Sequence, residues 1–408
     1  MHRRIFILMT GAMGGQALAF IALPLIARLY TPDQLGAFQI MLAFCNTLGA
    51  VSALSLERTQ LLDIGPRRKA YLGGLSLATV LTASLISVPG YLLFTLITPG
   101  APLFVAGVPV LFFVLSMTLF RGLFLIEYTT AIATERDRTA TFSVFVKDIV
   151  RIALRIGLGL TALNPVGLFV AGVADWFVGT VLLYRKGKMR WPSQLKRRAL
   201  LRRFRDYPLF YAPATALTSL TGQMPVLLLG SFYSVREAGL YSLAFLLLDR
   251  PSRILAKASG DVLMQGMARS SEGKSRNAVV QKAIVLSALN LPILLLIAFI
   301  TYLMADTLLG SDWTGAGWLA LACVPHALAL FVSELSIGLF AAVARTASGL
   351  LRQVASVGAL SLGFLAAYVV GLPVAWTVAM AGVAHLVVQT GFLATLAFNI
   401  PPETGASE

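Results

Sequence analysis

The sequence predicts an all-α integral membrane protein. Twelve transmembrane helices fall into two six-helix lobes, related by a pseudo-two-fold axis along the membrane normal. Three observations predict this. Of 408 residues, 57% are hydrophobic and 12% charged, against about 45–50% and about 25% in soluble domains. The apolar residues gather into twelve runs long enough to span a bilayer. A turn motif also recurs at the same place in each half of the chain. The composition, with a mean hydropathy of +0.81, excludes a soluble enzyme, a disordered chain and a nucleic-acid-binding module.

The runs cover 5–27, 37–56, 72–96, 103–125, 142–163, 166–184, 209–232, 240–262, 283–304, 318–342, 354–370 and 374–398. The first follows Arg3 and Arg4, as a signal peptide would. Gly11, Gly14, Gly15 and Gln16 interrupt it and further spans follow, so it reads as the first helix. Cys45 and Cys323 lie in apolar runs and form neither a metal spacing nor a disulfide framework.

Charge orients the spans. The net charge is +15, from 33 Lys and Arg. With the N-terminus inside, the outer loops hold only Arg28 and Arg236, whereas 24 basic residues fall in inner loops or the N-terminal tail. Basic residues collect on the cytoplasmic side, so both termini are expected there. The outer loops are all short, which places the chemistry among the helices.

The repeat reads Tyr30-Thr31-Pro32-Asp33-Gln34-Leu35-Gly36-Ala37-Phe38 after the first run. It reads Tyr233-Ser234-Val235-Arg236-Glu237-Ala238-Gly239-Leu240-Tyr241 after the seventh. Gly15-Gln16 and Gly222-Gln223 precede the two turns. Six helices per repeat is an even number, so both halves share one orientation, as in transporters with parallel repeats. The expected division is an N-lobe over 1–184, a basic cytoplasmic linker over 185–207, a C-lobe over 208–398 and a tail over 399–408.

Ten Lys and Arg fall in 185–206, and the first acid is Asp206. Ser193 can cap a short helix. Leu200, Leu201 and Phe204 would then lie on the membrane surface, with the basic residues on anionic phospholipids. A plain topology anchor is the alternative.

Charges within spans are the candidate site. Lys147, Arg151 and Arg155 follow i, i+4, i+8 and share a helix face. Three cations facing lipid would cost on the order of 8–10 kcal/mol, comparable to the stability of a whole domain. They are therefore expected to face a wet cavity or a protein partner. Arg250, Arg253 and Lys257 share a second face, beside Pro251, which is expected to break or kink its helix. Arg121 adds a seventh cation. The facing acids are Asp148, Asp175, Asp249 and Glu334. An excess of arginine suits phosphate oxygens. The alternative is that Asp148, Asp175 and Asp249 neutralise adjacent arginines as buried pairs. Glu334 is the leading candidate for ion coupling, with Asp175 and Asp148 beside it. His326 and His385 read as hydrogen-bonded structure ahead of a proton relay.

Gly273-Lys274-Ser275 resembles the end of a P-loop, but Ala268 stands where the first glycine belongs. No dinucleotide motif, acylation set or metal cluster is read, so neither a cofactor nor an ATPase is expected.

Several segments carry a family resemblance: Gly15-Gln16 through Phe38, Ser55-Leu56-Glu57-Arg58, Arg205-Asp206-Tyr207-Pro208, Gly222 to Tyr241 with Pro225-Val226-Leu227-Leu228-Leu229-Gly230, and Leu309-Gly310-Ser311-Asp312-Trp313. In these the chain resembles the polysaccharide biosynthesis or O-antigen-type flippases. That superfamily also holds the multidrug and toxin extrusion transporters and the lipid II flippases. The resemblance implies two lobes around a cationic cavity, in a bacterial inner membrane. It implies flipping of an undecaprenyl-pyrophosphate-linked oligosaccharide to the outer leaflet. Substrate contacts would be Arg121, Lys147, Arg151, Arg155, Arg250, Arg253 and Lys257. An H+ or Na+ coupling ion and a polysaccharide polymerase complex are implied partners. Ending after a twelfth helix argues against the lipid II subgroup, which has two more. The rivals are a multidrug–cation antiporter with an acid-lined cavity, and an intramembrane acyltransferase using His326 or His385.

Overall fold

The computed structural model describes the chain except residues 1, 63, 185–189, 192, 270–272, 343–345 and 399–408. Side chains are also left undescribed at 2–13, 195, 257–258, 261–262, 264–269, 273–277, 337–342, 346–348 and 396–398. The described residues form thirteen α-helices and one minimal hairpin. The helices of the first half are α1 (His2–Leu29), α2 (Pro32–Val51), α3 (Pro66–Ile97), α4 (Val110–Ala133), α5 (Asp137–Gly159), α6 (Val166–Leu183) and the short α7 (Gln194–Arg203). Those of the second half are α8 (Ala212–Phe232), α9 (Val235–Arg269), α10 (Gly273–Met304), α11 (Thr314–Ala342), α12 (Thr346–Val369) and α13 (Val374–Phe398). Apart from α7, each helix coincides in order with one of the twelve predicted runs. Eight of them are long and apolar enough among the described residues to cross a membrane. Helices α5 and α9 carry the intramembrane charges, which lowers their hydropathy.

Local chemistry explains the boundaries. Thr31 and Gln34 form a reciprocal capping box, with the Gln34 N–H on Thr31 Oγ1 at 3.3 Å and the Thr31 N–H on Gln34 Oε1 at 3.0 Å. Pro32 at the first helical turn needs no N–H there. The fourth run is corrected: strands β1 (Phe104–Val105) and β2 (Val108–Pro109) pair antiparallel before α4 begins. Ala106 and Gly107 turn the chain at φ 47° and 80°, a conformation that glycine tolerates and a helix does not. Helix α4 accordingly begins and ends later than the apolar pattern places it, and the α4–α5 connection shortens to 134–136.

Two other expectations are corrected. Helix α9 continues through Pro251 without the break that is one of the two outcomes expected there. One lost N–H within a 35-residue helix leaves the flanking turns bonded, as buried membrane helices tolerate. The short helix after Ser193 does form, as α7, but Leu200 and Phe204 are buried with Leu56, Leu72 and Leu75. Their i, i+4 stripe packs on protein rather than on a membrane surface, because the start of α3 offers an apolar face of matching size.

The chain divides into two compact units, Met1–Gln223 with Ser234–Arg236, and Met224–Tyr233 with Glu237–Glu408. In the first, α5 packs between α1 and α6, and α4 packs against α3 and α6. Phe38 and Phe169 meet edge-on at 5.3 Å inside it. In the second, α11 packs on α13 and α10, and α13 on α12. The repeat motif has the same work in each unit. The Tyr30 hydroxyl donates to the Arg155 carbonyl near the end of α5 at 2.7 Å. The Tyr233 hydroxyl reaches the Leu372 carbonyl just beyond α12 at 3.1 Å. Phe38 and Tyr241 are both fully buried.

Candidate functional site

The charged face of α5 meets α6, α4 and α1 inside the first unit. Lys147 and Asp148 are 6% exposed and Asp175 is 2% exposed. Lys147 Nζ lies 3.5 Å from Asp148 Oδ1 and 3.6 Å from Asp175 Oδ2. Arg151 reaches the same two acids, Asp148 at 2.7 Å and Asp175 at 3.3 Å. The four side chains form a closed quartet in which each cation bridges both carboxylates. The periodicity places Lys147 and Arg151 one turn apart, and Asp175 meets them from α6.

Arg121 on α4 completes the group. Its guanidinium donates to Asn46 Oδ1 on α2 and lies 5.0 Å from the Trp176 ring centre. Lys147 sits over the same ring at 4.1 Å, so one indole serves two cations. Three cations therefore stand against two acids. Arg155 continues the stripe, over the Phe38 ring at 5.0 Å.

Small residues make room for these charges. A Cβ at Gly15 of α1 would strike the Asp148 carboxylate, and one at Gly49 of α2 would strike the Arg121 stem. Gly15 belongs to the Gly-Gln pair that precedes the first turn motif. Its counterpart Gly222 has no atom in the way of a Cβ, so the shared dipeptide serves different packing in the two halves.

In the second unit Arg253 pairs with Asp249 at 3.0 Å, with the arginine side chain exposed. Arg250 is half-buried beside them. Lys257 belongs to α9, but its side chain lies outside the described residues. Glu334 on α11 is exposed and acts electrostatically on Arg253 and Arg352. His326 and His385 are buried against one another, Nδ1 to Nδ1 at 3.2 Å.

Several participants escape sequence reasoning. Asn46, Trp176, Ser356 and Gln389 carry no charge and look like ordinary helix residues. Arg352 reads as an inner-loop cation, yet it lies in α12, is 2% exposed and donates to the Ser333 carbonyl at 3.2 Å. Its signal is the four-residue spacing to Ser356, visible only once the helix is extended toward the N-terminus. A separate cavity of about 460 Å³ in the first unit is lined by Gln60, Arg67, Lys69, Glu127 and Arg190 among others, and by none of the predicted site residues. The described residues hold no cluster of three or more metal-ligating side chains.

Helical units with many apolar spans and charges held between helices define a class, the multi-pass membrane proteins. Solved structures share this fold. A lipid II flippase, MurJ, in an inward closed conformation matches with a TM-score of 0.68 at 12% identity, over 94% of this chain and 89% of that one. A multidrug resistance MATE family transporter of the MOP superfamily in an outward-facing conformation matches at 0.62 and 13% identity, over 97% and 95%. A MOP superfamily transporter from Pyrococcus furiosus, described as having a binding pocket of reverse polarity, matches at 0.61 and 13%, over 96% of each chain. No curated protein matches the chain. The model of the polysaccharide biosynthesis protein family matches residues 76–317, more than half of the chain. The protein belongs to that family and is a multi-pass membrane protein.

Proposed function

We propose that the protein flips an undecaprenyl-pyrophosphate-linked oligosaccharide from the cytoplasmic to the periplasmic leaflet of a bacterial inner membrane, by alternating access, for cell-surface polysaccharide synthesis. The observation that carries the reading is the group of buried Lys147 with half-buried Arg121 and Arg151 against Asp148 and Asp175. An unbalanced buried cation is costly without an anion to complete it. A pyrophosphate supplies that anion, and the guanidiniums can hold it bidentately. Family membership and the flippase-like fold agree with this chemistry. The distribution of Lys and Arg among loops supports cytoplasmic termini.

In this reading the quartet is the resting state. Asp148 and Asp175 hold Lys147 and Arg151 in place until the pyrophosphate competes for them. A proton on either carboxylate would weaken that hold, which gives these acids, with Glu334, their coupling role. Arg155, Arg250, Arg253 and Lys257 bind the remaining phosphate and anionic sugars. Anionic phospholipids meet the linker cations, and a polysaccharide polymerase receives the product. A multidrug–cation antiporter would need free acids, whereas Asp148 and Asp175 each contact two cations. An acyltransferase would need an acid or hydroxyl on a histidine, whereas His326 faces His385.

The test is Lys147→Glu with Arg151→Glu in cells that depend on this protein for surface glycan. Surface glycan should disappear and lipid-linked oligosaccharide should accumulate on the cytoplasmic leaflet, with normal protein levels in the membrane. Undiminished export from the double variant would overturn the assignment.

A further inference from the structure

Helices α11 and α13 each bring one imidazole into the interior of the second unit. His326 Nδ1 and His385 Nδ1 lie 3.2 Å apart, in rings 1% and 0% exposed. Two ring nitrogens at that distance share one proton, so one ring donates and the other accepts. The surroundings decide which. Ser356 Oγ donates to the Arg352 carbonyl at 2.8 Å. A hydroxyl has a single proton, so Ser356 accepts from Gln389 Nε2 at 2.7 Å. The second amide proton of Gln389 points at His385 Nε2, 3.2 Å away, and that nitrogen accepts. The His385 proton therefore sits on Nδ1 and is donated to His326 Nδ1. The His326 proton is left on Nε2.

The chain runs from Gln389 through His385 to His326 with one polarity, and both ends are open. His326 Nε2 and Gln389 Oε1 are buried and have no hydrogen-bond partner among the described residues. Apolar side chains of the same shape would fill this space without unmade bonds, so stability alone does not account for the arrangement. Reversal does. Turning the Gln389 amide exchanges its nitrogen and oxygen. Gln389 Oε1 then accepts from His385 Nε2–H, His326 Nδ1–H donates to His385 Nδ1, and His326 Nε2 becomes an acceptor.

We propose that His326 and His385 form a proton relay, with Gln389 as its gate, and that this relay passes the coupling ion of transport. The proposal rests on the transport reading above and adds to its coupling acids a proton path through the second unit. A proton taken up from water at His385 Nε2, when the Gln389 amide swings aside, makes that ring an imidazolium. Its Nδ1 proton passes to His326 Nδ1, and the Nε2 proton of His326 passes to a water molecule reaching that end in the transport cycle. One proton enters and one leaves, and no electron moves. Rotation of the rings and the amide restores the first polarity.

Two charged groups on neighbouring helices act on the pair, Arg253 of α9 on His326 and Arg352 of α12 on His385. Glu334 of α11 acts in turn on both arginines. Phe245 of α9 packs on the His326 ring at 5.4 Å between centroids. No carboxylate touches either imidazole among the described residues, so the pair is suited to passing a proton rather than keeping it.

The test uses the purified full chain in phosphatidylethanolamine–phosphatidylglycerol vesicles that contain undecaprenyl pyrophosphate, a trapped pH dye and a clamped membrane potential. The intact protein should carry protons down an imposed gradient. His326→Phe, His385→Phe and Gln389→Leu should each slow this by about 10²-fold, the scale of losing a positioned proton-transfer group. Folded variants with unchanged flux, or an intact protein with none, would overturn the relay. Should a variant fail to fold, nitrogen-15 spectra of the histidines in the intact protein decide. Protons on His385 Nδ1 and His326 Nε2 that exchange tautomers under a gradient support the relay, and static tautomers refute it. Histidine-dependent proton flux in a protein that exports no glycan would defeat the flippase reading and leave the relay standing.

Discussion

Gly15 of α1 lies directly against the Asp148 carboxylate of α5, close enough that a Cβ at position 15 would overlap it. The contact joins the first helix to the buried charge quartet and leaves no slack between backbone and acid. Gly15→Val should displace Asp148 from Lys147 and Arg151. The expected cost is about 1–3 kcal/mol, as for overpacked sites, with loss of export. Thermal melting in detergent and a surface-glycan assay check it, and an unchanged melting temperature would contradict the packing.

Asp175 contacts both cations of α5 from a helix of its own. Asp175→Asn should leave Asp148 alone against Lys147 and Arg151. Removing one partner from a buried ion pair costs about 3–5 kcal/mol, so the variant should melt markedly lower. Asp175→Glu, which keeps the charge, should recover most of the loss. A melt of Asp175→Asn equal to that of the parent would show that the quartet carries no stability.

Glu57, in the turn between α2 and α3, is 3% exposed. Burial pushes its carboxyl above the usual carboxylate range, against the pull of its own backbone N–H and of Arg58. An acid raised in the folded state binds its proton more tightly there than in the unfolded chain. Its contribution to stability is therefore greatest below the unfolded value and is lost as pH rises through the folded one. Glu57→Gln should be more stable than the parent at neutral pH and should flatten the decline above mildly acidic pH. Denaturation across that range reads the difference directly.

Phe204 of α7 packs into the cluster of Leu56, Leu72 and Leu75. Phe204→Ala should free the linker helix, at a cost of up to about 3–5 kcal/mol for a buried phenylalanine. Tryptic cleavage within 194–203 should become faster. Equal cleavage rates would mean that α7 is held by something other than this contact.

Arg121 depends on two neutral partners, Asn46 and the Trp176 ring. Arg121→Lys keeps the charge but loses the planar fork. It should reduce export while leaving the unfolding free energy within about 1 kcal/mol of the parent, as expected for a change confined to one polar contact. Wild-type export from this variant would make Arg121 a spacer.

Much of the architecture is legible from residue order. Hydropathy locates the helices, because each backbone in lipid must bond to itself and an apolar run has no other stable form. The i, i+4 spacing of Lys147 and Arg151 predicts a shared face, and the structure has both reaching the same acids. The boundary that misses, at α4, is where a two-residue turn outweighs local hydrophobicity, and what misses at α7 is the surface on which a correctly expected helix packs.

What the sequence determined by itself is a multi-helix membrane chain with a repeated turn and a set of cations too costly to face lipid. Tertiary structure alone decided who their partners are. Asp175 meets Lys147, Asn46 meets Arg121, and His326 meets His385 only because separate helices cross at those points. Periodicity specifies the face on which a residue sits, but a hydrogen bond forms over about 3 Å, a distance that only the packing of one helix on another can set.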